Sequence, residues 1–192
     1  MSESRLPPLR RPDLDETRES LWDSIASSRG QWIVGDDEAL AGPFNAWITA
    51  PTVGTRLLAL GTVLRFEISL ERRLIELAII TVGAHWKAEF EWWAHSRMAL
   101  EAGVSPEVIE SVRRGDTPPF ADDSERVVHL VARELVSTGS LTEATYAEAE
   151  TLLGPAGLVE LVSLCGYYTL VSYTLNAFAV PLPTGVDPAW DH

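Results

Sequence analysis

Two stretches of the chain are almost entirely apolar, and each can form a helix that is buried on most sides. Residues 74–82 (LIELAIITV) carry one charge, Glu76, and residues 158–180 carry one charge, Glu160. The second stretch is long enough to span a bilayer. It is rich in Ser, Thr, Asn and Tyr, however, and no Lys or Arg flanks it, so the sequence predicts a buried core helix and no membrane partner.

The rest of the chain favours helices as well, because apolar residues recur at helical spacing and no alternating strand pattern occurs. Ser69, Ser105 and Thr142 precede apolar periodic segments, as helix N-caps do. We predict an all-α bundle of about eight helices. Residues 13–180 form one domain in this interpretation, between an extended N-terminal arm (1–12) and a C-terminal tail (181–192). The proline-rich arm is free to wrap a neighbouring subunit.

The net charge and the cysteine content limit which partners the protein can bind and in which cellular compartment it is expected. The chain has 28 acidic and 15 basic residues and a formal net charge of -13, which repels nucleic acid. Its one cysteine, Cys165, cannot form an internal disulfide or a CxxC pair. The N-terminus lacks the apolar run of a secretory signal, so we expect a cytoplasmic protein.

The densest group of titratable and aromatic residues is HWKAEFEWWAH, residues 85–95. Glu91 and His95 are four positions apart, so they project from the same face of a helix. A carboxylate beside an imidazole prepares it as a general acid or base, and Trp92 and Trp93 can supply apolar walls. The alternative is an exposed ion pair on a helix whose tryptophans fill the core.

Glu76 is the second candidate, because burying its carboxylate is costly unless it is paired or protonated. Arg72 and Arg73 precede it by four and three residues, which allows an intrahelical salt bridge. A carboxyl group with a raised pKa that shuttles protons is the alternative interpretation. The spacing of Glu91 and His95 matches neither HExxH nor the Glu-x-x-His of di-iron bundles, so we predict no metal site.

These residues lie in a longer motif, RRLIELAIITVGAHWKAEFEWWAHSRMALEAGVSPEVIESV (72–112), which resembles the carboxymuconolactone decarboxylase family of the alkylhydroperoxidase D-like (AhpD-like) superfamily. The family's characteristic positions correspond here to Glu76, His95, Ala99, Gly103 and Ser105. The similarity is to a subgroup that lacks the motif's cysteines.

The two cysteines of the superfamily's peroxidase branch fall on Ala88 and Glu91 of this chain. Without a nucleophilic thiolate and its resolving partner, the resemblance excludes thiol peroxidase chemistry. Members of the decarboxylase branch have an acidic residue at the position of Glu91, as this chain does.

The resemblance therefore implies a lyase of the 4-carboxymuconolactone decarboxylase type, without a cofactor, that acts on a cyclic or lactone carboxylic acid in aromatic compound catabolism. A Glu/His proton relay is implied, in which His95 is the acid, Glu91 orients it and Glu76 is a second proton carrier. Arginine binds carboxylates well. The candidate substrate-binding residues are Trp47, Arg65, Arg73, Trp86, Trp92 and Trp93.

Family members form homo-oligomers, and the resemblance implies a trimer or a hexamer that buries apolar helices between subunits. Two alternatives to a decarboxylase stay open. One is a related hydrolase or isomerase, and the other is a non-catalytic small-molecule-binding protein with the same fold.

Overall fold

The computed structural model describes residues 4–191 and contains eight α-helices within that range. Residues 1–3 of the predicted arm and residue 192 of the predicted tail lie outside the described residues. The helices are α1 (Glu16–Arg29), α2 (Phe44–Thr49), α3 (Pro51–Phe66), α4 (Arg72–His85), α5 (Glu89–Glu101), α6 (Pro106–Arg114), α7 (Asp123–Thr138) and α8 (Glu143–Ala177). Short 3₁₀ helices span Arg11–Asp13 and Gln31–Ile33. The described residues contain two isolated β-bridges but no strand, so the predicted all-α class is confirmed.

Helix α4 is the centre of the bundle. It packs against α5, α6, α7 and α8, and residues 74–83 are buried without interruption. Burying one Leu or Ile side chain contributes about 1.5–3 kcal/mol, so this run of apolar residues holds the surrounding helices around α4. The predicted core helix at residues 74–82 is confirmed.

Helix termini follow the predicted caps in most places. Ser105 Oγ accepts a hydrogen bond from Val108 N–H, and the Thr142 side chain caps α8 in the same way. The predicted cap at Ser69 is wrong, because α4 begins at Arg72 with Glu71 as its N-cap residue. Ser69 instead donates from its N–H and its hydroxyl to Glu160 Oε2. This contact gives Glu160, the only charged residue in 158–180, two hydrogen-bond donors.

Helix α8 is kinked rather than continuous. Gly154 adopts a left-handed φ of 69°, which glycine tolerates, and Pro155 can follow it because proline suits the first turn of a new helical segment. By length and composition α8 could cross a membrane, but half of its most apolar window is buried inside the bundle. It is packed as the core helix of a soluble helical domain.

Both ends of the described chain pack on the bundle. Near the N-terminus, Arg5 N–H donates to Phe178 O and Leu9 N–H donates to Asn45 Oδ1, so the described part of the arm lies on its own chain. Contact of this arm with a neighbouring subunit stays a prediction. In the tail, the N–H groups of Ala189 and Trp190 donate to the Glu89 carboxylate.

Candidate active site

Helices α4 and α5 bring Glu76 and His95 into contact inside the bundle. His95 Nδ1 lies 2.6 Å from Glu76 Oε2, and the two residues are 7% and 0% exposed. The helices approach closely at Gly83, where an added Cβ would lie 3.4 Å from Glu91 Cγ. The apolar sequence around Glu76 therefore buries a carboxylate that is paired with an imidazole.

The surroundings of Glu76 favour its ionised form. Burial opposes ionisation, but the charge and hydrogen bond of His95 and the charges of Arg72 and Arg65 together lower the pKa of Glu76. Arg72 Nη2 lies 2.5 Å from Glu76 Oε1. Because an ionised carboxylate only accepts hydrogen bonds, Nδ1 of His95 carries the proton and Nε2 is left for other partners. The intrahelical salt bridge expected from the sequence therefore describes Glu76 through Arg72, whereas the raised pKa expected for a proton shuttle is wrong.

Glu91 lies on the other side of the imidazole. Its Oε1 is 3.2 Å from His95 Nε2, and this oxygen has no partner in hydrogen-bond geometry. Burial raises the pKa of Glu91 despite the nearby positive charges of His95 and Arg65. Glu91 is 4% exposed, so the alternative of an exposed ion pair does not describe it. Glu76, His95 and Glu91 thus form a buried chain of three titratable groups. Glu76 at one end is an ionised carboxylate, and Glu91 at the other end retains its proton more readily than an exposed glutamate does.

Glu91 and His95 both face a small cavity, whose volume is about 50 Å³. Ligand pockets usually measure about 300–1,000 Å³, so this cavity is small. Trp32, which is 48% exposed, is the one exposed residue among those that line it. The other lining residues are Arg29, Pro43, Phe44, Trp47, Arg65, Phe90, Glu91, Ala94, His95, Met98, Tyr167, Tyr168 and Val171.

Two arginines line the cavity, and the sequence analysis identified only one of them. Arg65 is in the last turn of α3, and Arg29 is in the last turn of α1. Arg29 lies far from the motif in sequence and occupies a position where a basic residue commonly stabilises a helix end. No local signal distinguishes such a residue from one that reaches a cavity.

Four of the predicted substrate-binding residues are not among those that line the cavity. Trp92 packs in a separate apolar cluster, with its ring 5.3 Å from that of Trp190. Trp86 contacts His85 and Tyr173.

Trp93 and Arg73 also lie outside the cavity lining. Trp93 stands behind the cavity wall against Phe90 and Trp32. Arg73 binds Glu125 over 2.8 Å, and this hydrogen-bonded pair raises the pKa of Arg73.

The predicted residues Trp47, Arg65, Glu91 and His95 do meet at the cavity, and Glu76 lies behind His95. Two tyrosines that the sequence analysis left without a role complete the wall. The Tyr168 ring packs edge-on against His95 with centroids 5.3 Å apart, and burial raises the pKa of Tyr168. Tyr167 donates its hydroxyl proton to Leu57 O.

Metal binding and thiol chemistry were both considered for this region. Within residues 4–191, no group of three or more His, Cys, Asp or Glu side chains could hold a metal ion. Cys165 is buried, and burial raises the pKa of its thiol to about 12. A thiol with such a pKa is almost wholly protonated near neutral pH.

Comparison with known proteins agrees with the resemblance in the motif. Residues 51–134, which run from the start of α3 into α7, match the carboxymuconolactone decarboxylase family. No curated protein matches the chain.

Solved structures share the fold at low sequence identity. A peroxidase-related protein with an alkylhydroperoxidase AhpD core from Ralstonia eutropha JMP134 superposes with a TM-score of 0.76 and 12% identity, over 96% of this chain and 94% of the other. A peroxidase-related protein from Silicibacter sp. TM1040 gives a TM-score of 0.70, 15% identity and 94% coverage of both chains. A protein of unknown function from Agrobacterium tumefaciens gives 0.65 and 16%, over 73% of this chain and 97% of the other. These similarities show that the predicted AhpD-like helical bundle is the fold of this protein.

Proposed function

Because the match over residues 51–134 makes this chain a carboxymuconolactone decarboxylase family protein with the AhpD-like fold, we propose that it is a cofactor-independent carboxy-lyase. Its substrate is a cyclic or lactone carboxylic acid, and it acts in the cytoplasm in the breakdown of aromatic compounds. The observation that carries the proposal is the chain Glu76–His95–Glu91, which reaches a cavity lined by two arginines.

In this reaction the bond between the substrate carbon and its carboxylate breaks, and carbon dioxide leaves. The electron pair stays on the carbon as an enolate conjugated to the neighbouring carbonyl group, and the carbon then takes a proton. A small, largely apolar cavity disfavours the charge of the departing carboxylate. The positive charge of Arg65 favours the enolate.

We assign the proton donor to Nε2 of His95, since Nδ1 is held by Glu76 over 2.6 Å. Glu91 is the proton store that reloads Nε2 over 3.2 Å, and its raised pKa keeps it protonated at a higher pH than an exposed glutamate. Glu76 orients the imidazole. This assignment keeps His95 as the acid and exchanges the roles expected for the two glutamates.

Two of the structural neighbours are peroxidase-related proteins, but thiol peroxidase chemistry finds no support in the residues of this chain. A peroxidatic cysteine must be accessible and ionised, whereas Cys165 is buried and has a raised pKa. A Cys165→Ala variant tests this directly. We expect it to retain the activity of the wild type, and loss of activity with an intact fold would contradict the assignment.

A related hydrolase or isomerase is the second candidate, and the cavity volume favours it for small substrates. About 50 Å³ is less than a dicarboxylate lactone needs unless the cavity widens. The same three titratable groups would then transfer a proton without loss of carbon dioxide.

The experiment measures carbon dioxide release from freshly prepared 4-carboxymuconolactone in ²H₂O, with and without a chelator. For the wild type we expect release that is insensitive to the chelator, and one deuterium on the product carbon. His95→Gln should lower the rate by about 10²–10⁴-fold. His85→Gln is the matched control, because His85 is exposed and does not line the cavity. Equal rates for the two variants would contradict the relay, and a product without carbon dioxide release would favour the isomerase.

A further inference from the structure

Two guanidinium groups converge on the cavity without a carboxylate partner. Arg29 reaches it from α1 and Arg65 from α3. Among residues 4–191, neither arginine forms a salt bridge with an acidic side chain. Burial and then the charge of Arg65 lower the pKa of Arg29, so the two cations are close enough to repel each other. Like charges that are partly buried together are unfavourable unless an anion offsets them.

Three buried hydrogen-bond donors on the cavity wall have no acceptor. They are Arg29 Nη1, Arg65 Nε and the indole Nε1 of Trp47. One further donor of each guanidinium group meets a weak partner, since Arg29 Nη2 lies 3.5 Å from Thr62 Oγ1 and Arg65 Nη2 lies 3.4 Å from Met98 Sδ. Both guanidinium groups also lie over the Phe66 ring. A buried donor without an acceptor costs about 1–3 kcal/mol, and more when it is charged. Three of them in one cavity indicate a missing acceptor.

We propose that Arg29, Arg65 and Trp47 form a subsite for one carboxylate group of the substrate, and that Arg29 is a specificity-determining residue supplied by α1. A carboxylate has two acceptor oxygens and no donor, which matches the three unpartnered donors of Arg29, Arg65 and Trp47. Its planar shape suits the guanidinium fork, and its single charge suits a cavity of about 50 Å³ better than a larger dianion does.

The subsite depends on a helix outside the region shared with the family. The family match begins at residue 51, whereas Arg29 lies in Glu16–Arg29. Helix α1 packs against α2 and α3, which carry Trp47 and Arg65. The N-terminal helix therefore supplies one of the donors that select the substrate, while residues 76–95 supply the proton relay.

The test uses acetate, the smallest carboxylate with a carbon substituent, and needs no turnover. The seven tryptophan indole N–H signals of the ¹⁵N-labelled full chain are recorded by NMR during titration with sodium acetate, with acetamide, sodium phosphate and sodium chloride as separate probes. The Trp47 signal is the one absent from Trp47→Phe. We expect it to move saturably with acetate and not with the neutral isostere acetamide.

Arg29→Gln should weaken acetate binding by about 10–100-fold, as expected when a charged hydrogen-bond donor is lost. Arg29→Lys keeps the charge without the fork and should give an intermediate affinity, which also provides a folded variant if Arg29→Gln is unstable. Arg18→Gln on the same helix is the control, because Arg18 is partly exposed, pairs with Asp15 and does not line the cavity. Unchanged acetate affinity in both Arg29 variants, an equal response to acetamide, or tighter binding of phosphate would overturn the proposal.

The inference rests on the proposed function, because the subsite is said to hold a carboxylate group of the substrate. Different results would contradict the subsite and the carboxy-lyase activity. If the protein binds acetate through Arg29 but releases no carbon dioxide from any acid, the carboxylate subsite is supported and the carboxy-lyase activity is contradicted. If the wild type and the Arg29 variants release carbon dioxide at the same rate, the carboxy-lyase activity is supported and the role of Arg29 in a substrate subsite is contradicted.

Discussion

Glu76 Oε2 accepts a hydrogen bond from His95 Nδ1 across the interface between α4 and α5, although the two residues are 19 positions apart in the chain. The contact fixes the ring orientation and directs Nε2 towards Glu91 and the cavity. A neutral side chain at position 76 could keep the shape of this contact but not its charge.

Replacing Glu76 with Gln is therefore expected to lower kcat by about 10²-fold, because the amide stabilises the protonated imidazole less than the carboxylate does. Steady-state carbon dioxide release measures the effect. The matched control is Glu71→Gln, at the exposed N-cap position of the same helix, which should change neither kcat nor stability by a measurable amount. Equal kcat in Glu76→Gln and the wild type would remove Glu76 from the relay.

Glu91 makes the stability of the fold depend on pH in a defined direction. Its pKa is raised in the folded state, so the folded protein holds this proton at pH values where the unfolded chain has lost it. Stability contributed by Glu91 therefore falls as pH rises from the ordinary glutamate pKa through the raised one. We expect Glu91→Gln to raise Tm by a few degrees at pH 8, where 1 kcal/mol corresponds to about 2–4 °C. Near pH 4 the two proteins should melt together, and a Tm difference that grows towards acid pH would contradict this.

Gly61 leaves room for the side chain of Tyr167, which forms one wall of the cavity. A Cβ at position 61 would overlap the hydroxyl and ring of Tyr167. Gly61→Ala should destabilise the protein by about 1–3 kcal/mol and reduce acetate binding, because the ring must move. In a Tyr167→Leu background the same substitution should cost much less, and denaturant unfolding of the four proteins measures the coupling. Additive effects would show that the two residues do not meet.

The second segment of α8 carries an exposed apolar stripe, and we expect it to bury this stripe in a homo-oligomer. Val159, Val162, Leu170 and Tyr173 are exposed at helical spacing. Light scattering should give a trimer or hexamer for the wild type and smaller species for a Val159→Glu/Tyr173→Glu variant. Ala147→Glu, exposed before the kink of the same helix, is the control. A monomeric wild type would contradict the expectation.

The sequence was informative where a property depends on neighbours along one helix. The buried character of α4 and the shared face of Glu91 and His95 follow from periodicity alone. The direct contact of Glu76 with His95 does not, because it depends on how two helices pack. Ser69 shows the same limit, since its best partner is Glu160, 91 residues away, rather than the start of the next helix.

The tryptophans and arginines of the candidate site were harder to assign for a related reason. Aromatic residues fill a core and line a pocket with the same chemistry, so composition could not separate Trp47 from Trp92. Arg73 lies inside the motif and binds Glu125, while Arg29 lies outside the motif and reaches the cavity. Proximity in sequence therefore favoured the wrong arginine for this cavity.

The burial of Glu76, Glu91 and His95 has a consequence for the supply of protons. All three residues are at most 7% exposed, so their exchange of protons with bulk water is restricted. An isomerisation returns its proton within the same turnover, whereas each decarboxylation consumes one. A decarboxylase built on this site must therefore draw one proton from the solvent for every molecule of substrate that it converts.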